Sequence, residues 1–279
     1  MVNERRTKVI SFMKYPGSKN KLAENLHSIE PNYHNYVEPF GGSFAKFFCN
    51  PKPKGLVVYN DIDKRCTNLF KHLILNPERL IASAQFFINS RALWAEFEED
   101  LKKLDNDENT ELTIEDAIKW LYVNINSFTG TGTSFKPTMS IEAGVLVSKL
   151  IAAANKLQDN VIIENMDFRE CITRYNKYSN THFYLDPPYT VAAPQNLYRY
   201  NFSDKDHIDL RILCDKINEA GNTFLLSYDY NPEIEKLYEN EYEIDTLEFT
   251  YSMSGNSENR KEKELIITNY PRIKQLELF

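Results

Sequence analysis

The chain has 279 residues, enough for one large α/β domain or a core with a subdomain. Its 42% hydrophobic and 26% charged content is ordinary for a globular protein, and a net charge of −7 argues against a protein that coats nucleic acid without regard to sequence. Cys49, Cys66, Cys171 and Cys214 show no short paired spacing, and the five histidines cluster neither with them nor with each other, so reduced thiols and no metal site are expected.

The first 21 residues carry Arg5, Arg6, Lys8, Lys14, Lys19 and Lys21 against one acid, Glu4. Within them, Lys14-Tyr15-Pro16-Gly17-Ser18-Lys19 is a Pro-Gly turn flanked by cations, suited to an anion or carboxylate. A solvated basic loop fits these residues equally. No apolar run reaches membrane-spanning length and no signal-peptide core follows the N-terminus, which together predict a cytoplasmic protein without a membrane partner.

Tyr36 to Phe40 reads as a strand, followed by Gly41-Gly42 and a helix opened by Ser43. Glycine lets a backbone approach a ligand closely, but the spacing is neither Gly-x-Gly-x-x-Gly nor a phosphate-binding loop. A tight strand-to-helix turn is the simpler reading of these residues alone. Gly55 to Tyr59 forms a second strand that ends in Asn60-Asp61-Ile62-Asp63. An acid in this place holds ribose hydroxyls in α/β nucleotide folds, which makes Asp61 a candidate. It serves equally as the N-cap of a helix running from about Lys64 to Leu80.

Residues 82–160 interrupt the strand–helix alternation and carry more acidic than basic side chains, the mark of a solvated helical subdomain. Thr113 with Asp116 forms a capping box for a helix to Asn126, with Ile114, Ile118, Leu121 and Ile125 on one face. The polar, glycine-containing loop that follows, to Ser140, can bend around a partner. Asn126, Ser127, Thr129, Thr131, Thr133 and Lys136 are its candidate nucleic-acid contacts, although a mere linker fits as well.

The alternation resumes with a strand at Val161–Asn165, followed by Asp167, and a short buried strand at Phe183–Leu185. That last strand must stop at Asp186-Pro187-Pro188-Tyr189, because proline cannot donate to a sheet ladder. The carboxylate and the turn carbonyls are all acceptors and match an amino group with two hydrogens, while Tyr189 offers a face on which a base can stack. Tyr198 and Arg199 lie in the irregular segment beyond and would suit nucleic acid. Ser203 with Asp206 caps a helix that Gly221 stops. A fifth strand, Thr223–Tyr228, and a hairpin from Glu243–Phe249 and Glu264–Thr268 complete an open, largely parallel sheet.

These pieces, in this order, resemble the Dam-type (D12 class, alpha group) DNA adenine-N6 methyltransferases, from about Lys14 to Tyr270. The most specific piece is Asp-Pro-Pro-Tyr at 186–189. The resemblance implies a Rossmann-like catalytic domain at 1–81 and 156–279, with a helical target-recognition insertion at 82–155. It implies S-adenosylmethionine as methyl donor, held by Tyr15, Lys19, Glu38, Phe40, Gly41, Gly42, Ser43, Asp61, Asp167 and Asp186. It places catalysis on Asp186, Pro187, Pro188 and Tyr189, acting on an adenine flipped from double-stranded DNA. Phe202 with Asp206-His207, and residues 260–270, resemble the motifs that follow. A restriction endonuclease would be a separate chain.

Two departures stand out. The glycine that usually closes the glycine motif is Phe44 here, which predicts altered helix packing or a narrowed cofactor pocket. Residues 124–136 lack the arginine pattern of enzymes that read GATC, so that recognition sequence is not carried over. Cytosine N4 and RNA remain alternative targets, and a DNA-binding module with a spoiled cofactor pocket is the alternative of another class.

Overall fold

The computed structural model describes residues 11–15, 23–105, 110–128, 130, 132–138, 141–188, 202–251 and 260–271. Chain order is α1 (Ala23–Ser28), β1 (Asn35–Glu38), α2 (Ala45–Cys49), β2 (Val57–Asn60), α3 (Lys64–Leu75), α4 (Pro77–Gln85), α5 (Arg91–Asp105), α6 (Ile114–Ile125), α7 (Ala143–Lys156), β3 (Val161–Glu164), α8 (Phe168–Tyr175), β4 (Thr181–Leu185), α9 (Asp204–Glu219), β5 (Thr223–Asp229), α10 (Pro232–Tyr238), β6 (Glu243–Tyr251) and β7 (Arg260–Thr268). The strands form one seven-stranded sheet in the order β3-β2-β1-β4-β5-β7-β6. The first five are parallel, and β7 runs antiparallel to both of its neighbours, β5 and β6.

Side-chain alternation explains the layering. Tyr36, Val57, Tyr59, Tyr184, Leu225 and Ile266 point to one face and pack with residues of α2, α3, α6 and α7. Val37, Val58, Phe183, Leu185, Phe224 and Leu226 point to the other and pack with α8, α9 and α10. The central strands are thus buried on both faces, which is why they read as continuous apolar runs.

The helices of the 82–160 region differ from the solvated subdomain that their charge suggested. Trp120, Leu121, Val123 and Ile125 of α6 lie in the same buried cluster as Leu69, Phe70 and Leu73 of α3. Leu101 is the only fully buried residue of α5, so the acidic character is concentrated there. The expected helix over Lys64–Leu80 is two helices, because Asn76 leaves helical geometry and Pro77 starts α4 at its first turn, where a missing N–H costs nothing. Both expected capping boxes form, at Thr113/Asp116 and Ser203/Asp206. Among the described residues no helix is long and apolar enough to cross a membrane.

Candidate active site

Parallel strands bring all their carboxyl ends to one edge, and the strand order reverses between β1 and β4. In open α/β sheets the crevice at such a reversal is where ligands bind. The register pairs Val37 with Phe183, so Glu38 at the end of β1 and Asp186 just beyond β4 flank this crevice. Glu38 is buried; the Tyr36 hydroxyl donates to its Oε1 at 2.5 Å and the Phe47 N–H at 3.2 Å. Burial pushes its carboxyl up to about 8, helped by the Asp186 charge and opposed by the Tyr36 bond and the Lys46 charge. Lys46 is itself buried and ion-paired with Glu30. Asp186 is half-buried, Pro187 buried and Pro188 half-buried.

The glycine turn leads from β1 into α2 and is bonded to the end of β2. Gly41 N–H donates to the Asn60 carbonyl at 2.7 Å, and Gly42 N–H donates to Asp61 Oδ2 at 2.8 Å. A Cβ at Gly41 would meet the Tyr59 ring at 2.3 Å, and one at Gly42 would meet the Tyr15 ring at 2.8 Å. The double glycine is therefore required by close aromatic packing. Ser43 is buried, and its carbonyl accepts from Ser11 Oγ at 3.0 Å.

Asp61 is not the cap of α3. That role belongs to Asp63, which accepts from Arg65 N–H at 2.9 Å. Asp61 instead accepts from Gly42 N–H and, at 2.8 Å, from Asp63 N–H. Burial, then the neighbouring Asp63 charge, pushes its carboxyl up to about 7. The Ile62 N–H also turns to this carboxylate, so three of its roughly four acceptor sites are engaged and room for a further donor remains.

Phe44 resolves the departure in the glycine motif. Its φ of 54° and ψ of 31° are left-handed, the region that favours glycine. The ring is wholly buried, stacked on Phe47 at 4.3 Å and edge-on to Tyr59 at 5.0 Å. It anchors an aromatic cluster that includes Phe48 and Phe70. Helix α2 accordingly begins at Ala45, with Phe44 as its uncapped N-terminal neighbour. Restoring glycine by Phe44→Gly relieves the backbone but empties a ring-sized volume. A net loss of about 2–4 kcal/mol is expected in denaturant unfolding, the cavity cost exceeding the backbone gain.

Two residues passed over in the sequence hold the edge together. Asn60, fully buried, donates to the Pro39 carbonyl at 2.8 Å and the Met166 carbonyl at 3.0 Å, and accepts from Met166 N–H at 3.0 Å. It ties together the ends of β1, β2 and β3. The Asn-Asp pair at a strand end is its only sequence signal. Arg169 bridges Asp167, Asp206 and Asp209. Asp167 also caps α8 through Arg169 N–H at 2.8 Å. Phe40, Phe168 and Phe202 pack together with centroids 5.2–5.8 Å apart. Phe202 leads on to His207, whose Nδ1 lies 2.7 Å from the Tyr228 hydroxyl.

The loop after α6 is closed by a bridge between Ser127 and Phe135. Asn126 and Ser127 are fully buried. Asn126 donates to the Tyr122 carbonyl at 2.9 Å, and Trp94 Nε1 donates to Ser127 Oγ at 3.2 Å. These two side chains shape the loop instead of offering an amide or hydroxyl at its surface. Thr133 is exposed and Lys136 half-buried. Phe128, absent from the expected contacts, is 60% exposed beside the closing bridge. Lys14 reaches this loop, with Nζ donating to the Ser127 carbonyl. Burial, then the Lys136 charge, lowers its ammonium to about 8. Lys19, Thr129, Thr131, Tyr189, Tyr198 and Arg199 lie outside the described residues.

The 3-2-1-4-5-7-6 sheet, with acids at the ends of β1 and β2 and Asp-Pro-Pro after β4, has the architecture of a Rossmann-like methyltransferase. Within that class the chain belongs to the D12 class N6 adenine-specific DNA methyltransferases, whose family model matches residues 15–253. It is also 23% identical, over 93% of its own length and 98% of the relative's, to the type II methyltransferase M.MjaIII of Methanocaldococcus jannaschii.

Proposed function

We propose that this protein transfers a methyl group from S-adenosylmethionine to the N6 amino group of a flipped adenine at a specific site in duplex DNA. The observation that carries this reading is Asp186-Pro187-Pro188 at the carboxyl end of β4, across the strand-order reversal from buried Glu38.

The residues suit the donor. Among the described residues both hydrogen bonds to Glu38 fall on Oε1, which leaves Oε2 for a cation such as the methionine ammonium. Asp61 keeps acceptor capacity for a ribose hydroxyl. Tyr15, Phe40, Gly41, Gly42, Ser43 and Asp167 complete the proposed cofactor set, and Lys19 belongs to it by its motif. The bound cofactor supplies an electrophilic methyl on a sulfonium, and an edge lined by Glu38, Asp61 and Asp186 favours that positive charge.

Adenine N6 is a poor nucleophile because its lone pair is delocalised into the ring. The Asp186 carboxylate and the Pro187 carbonyl accept its two hydrogens, which fixes the amino group and turns the lone pair out of the ring plane. The N–C bond would form as the methyl–sulfur bond breaks and a neutral thioether departs, and the surplus N6 proton would then pass to solvent. Positioning and electrostatics carry the gain. Tyr189 stacks on the extruded base and offsets part of a few kcal/mol of unstacking.

Residues 82–155 serve target recognition, through the loop at 126–138 with Thr129, Thr131, Thr133 and Lys136, joined by Tyr198 and Arg199. Phe128 adds an exposed ring. Phe128→Ala should weaken duplex binding by about 1–3 kcal/mol, the worth of one aromatic–base stack, with cofactor affinity unchanged. Titration of each ligand separately checks this. The name of the relative from M. jannaschii favours a type II restriction–modification role, with the endonuclease on a separate chain.

Incubation with radiolabelled S-adenosylmethionine and mixed-sequence duplex, followed by nucleoside analysis, tests the reading. Label in N6-methyladenine is expected. Label in N4-methylcytosine, label only with RNA, or none overturns it.

A further inference from the structure

Two segments far apart in sequence meet on one buried side chain. Asn124, near the end of α6, is wholly shielded from solvent. Lys14 N–H donates to its Oδ1 at 2.9 Å, while its Nδ2 donates to the Lys14 carbonyl and to the Gly130 carbonyl, both at 2.8 Å. Both amide hydrogens are used, and both backbone groups of Lys14 are held as a neighbouring strand would hold them. Gly130 presses on the same residue: at its φ of 80°, a Cβ would lie 2.6 Å from Lys14 Cβ and 2.7 Å from the Lys14 carbonyl oxygen. The Lys14 ammonium closes the knot on the Ser127 carbonyl.

The contacts continue in both directions. Towards the sheet, the Tyr15 ring lies against Gly42, whose N–H is bonded to Asp61. Towards solvent, Ser127 and Gly130 bracket the exposed Phe128. A displacement of the loop on binding a duplex therefore reaches Lys14 and Tyr15 directly, because a buried amide with three hydrogen bonds cannot slip without leaving polar groups unpaired.

We propose that Asn124 is a positioning residue that couples the DNA-facing loop to the cofactor site, so that bound duplex tightens cofactor binding. The inference rests on the function proposed above for the two sites. Coupling of this kind is reciprocal and typically amounts to about 5- to 150-fold in affinity.

The probe is S-adenosylhomocysteine, the demethylated product, which binds without turnover. Its Kd is measured with and without saturating duplex that the wild-type protein methylates. The wild-type Kd should fall at least about fivefold on adding duplex. In Asn124→Ala, and independently in Gly130→Ala, the ratio of the two values should approach one. Asn124→Asp keeps the acceptor for Lys14 N–H but loses both donors, and should give the same collapse if the alanine variant does not fold. A role confined to holding the fold would shift both Kd values in parallel and leave the ratio intact. A wild-type protein that methylates DNA yet shows a ratio of one, or folded variants that keep the wild-type ratio, overturns the proposal. Absence of both methylation and cofactor binding in the wild-type protein would instead sink the function on which it rests.

Discussion

Asp186→Ala should still take up S-adenosylmethionine and should lose methyl transfer by at least about 10²–10³-fold, the loss expected when one preorganised electrostatic partner of a transition state is removed. The comparison to make is single-turnover methylation against equilibrium cofactor binding. The two should separate because Asp186 lies beyond β4 whereas Asp61, the acid proposed for the ribose hydroxyls, lies beyond β2 on the other side of β1. Cofactor affinity near pH 7 should not suffer, since the Asp186 charge helps hold Glu38 protonated. Removing that charge makes the Glu38 carboxylate easier to form. Asp186→Asn should also fail, because its amide hydrogens compete with those of N6. A normal rate in either variant would remove Asp186 from the mechanism.

Glu38→Gln separates function from stability. The glutamine retains an oxygen for the Tyr36 hydroxyl and the Phe47 N–H, so the fold is kept. It cannot pair with an ammonium. Cofactor Kd should rise about 30-fold or more, the 2 kcal/mol or greater cost of breaking a buried charge pair. In the parent protein the carboxyl is raised from 4.5 to about 8, so binding the cation releases a proton. Parent affinity should therefore improve by up to about tenfold per pH unit between pH 6 and 8, and the variant should be flat. Stability runs the opposite way. A carboxyl whose folded value is raised contributes stability that is complete below about 4.5 and is lost as pH rises through about 8. The variant, free of that loss, should melt roughly 3 °C or more above the parent at pH 8.5, with little advantage at pH 4.5. Equal melting curves at pH 8.5, or unchanged cofactor affinity, would show that Glu38 carries no such burden.

The central strands were legible because their two faces are both covered, so each read as a run of large apolar residues ended by glycine, proline or an acid. The capping boxes were legible because capping is local chemistry. What could not be read were features set by distant contacts. The Lys64–Leu80 helix splits at Asn76-Pro77, a local signal outweighed by an apolar pattern that continues across it. Phe44 looked like an obstruction to the cofactor pocket. Its direction depends on a left-handed backbone and on partners such as Phe70, 26 positions later. Asp61 and Asp63 both suit a cap, and only their geometry says which one is left facing the glycine turn. Asn126 and Ser127 were read as surface groups from their polarity, yet they are bonded inside the loop. Asn60, Asn124 and Arg169 escaped notice because each works through bonds to chain segments about 40 to 110 residues away.

The burial of the acids at the sheet edge has a consequence for the charge that edge presents. Burial pushes Glu38 up to about 8 and Asp61 up to about 7, so near neutral pH the edge carries less negative charge than its three carboxyl groups suggest. The missing charge forms when a cation arrives to give a carboxyl its partner, and a proton leaves at that moment. The edge is thus a latent charge, indifferent to neutral groups and committed only by a positively charged ligand.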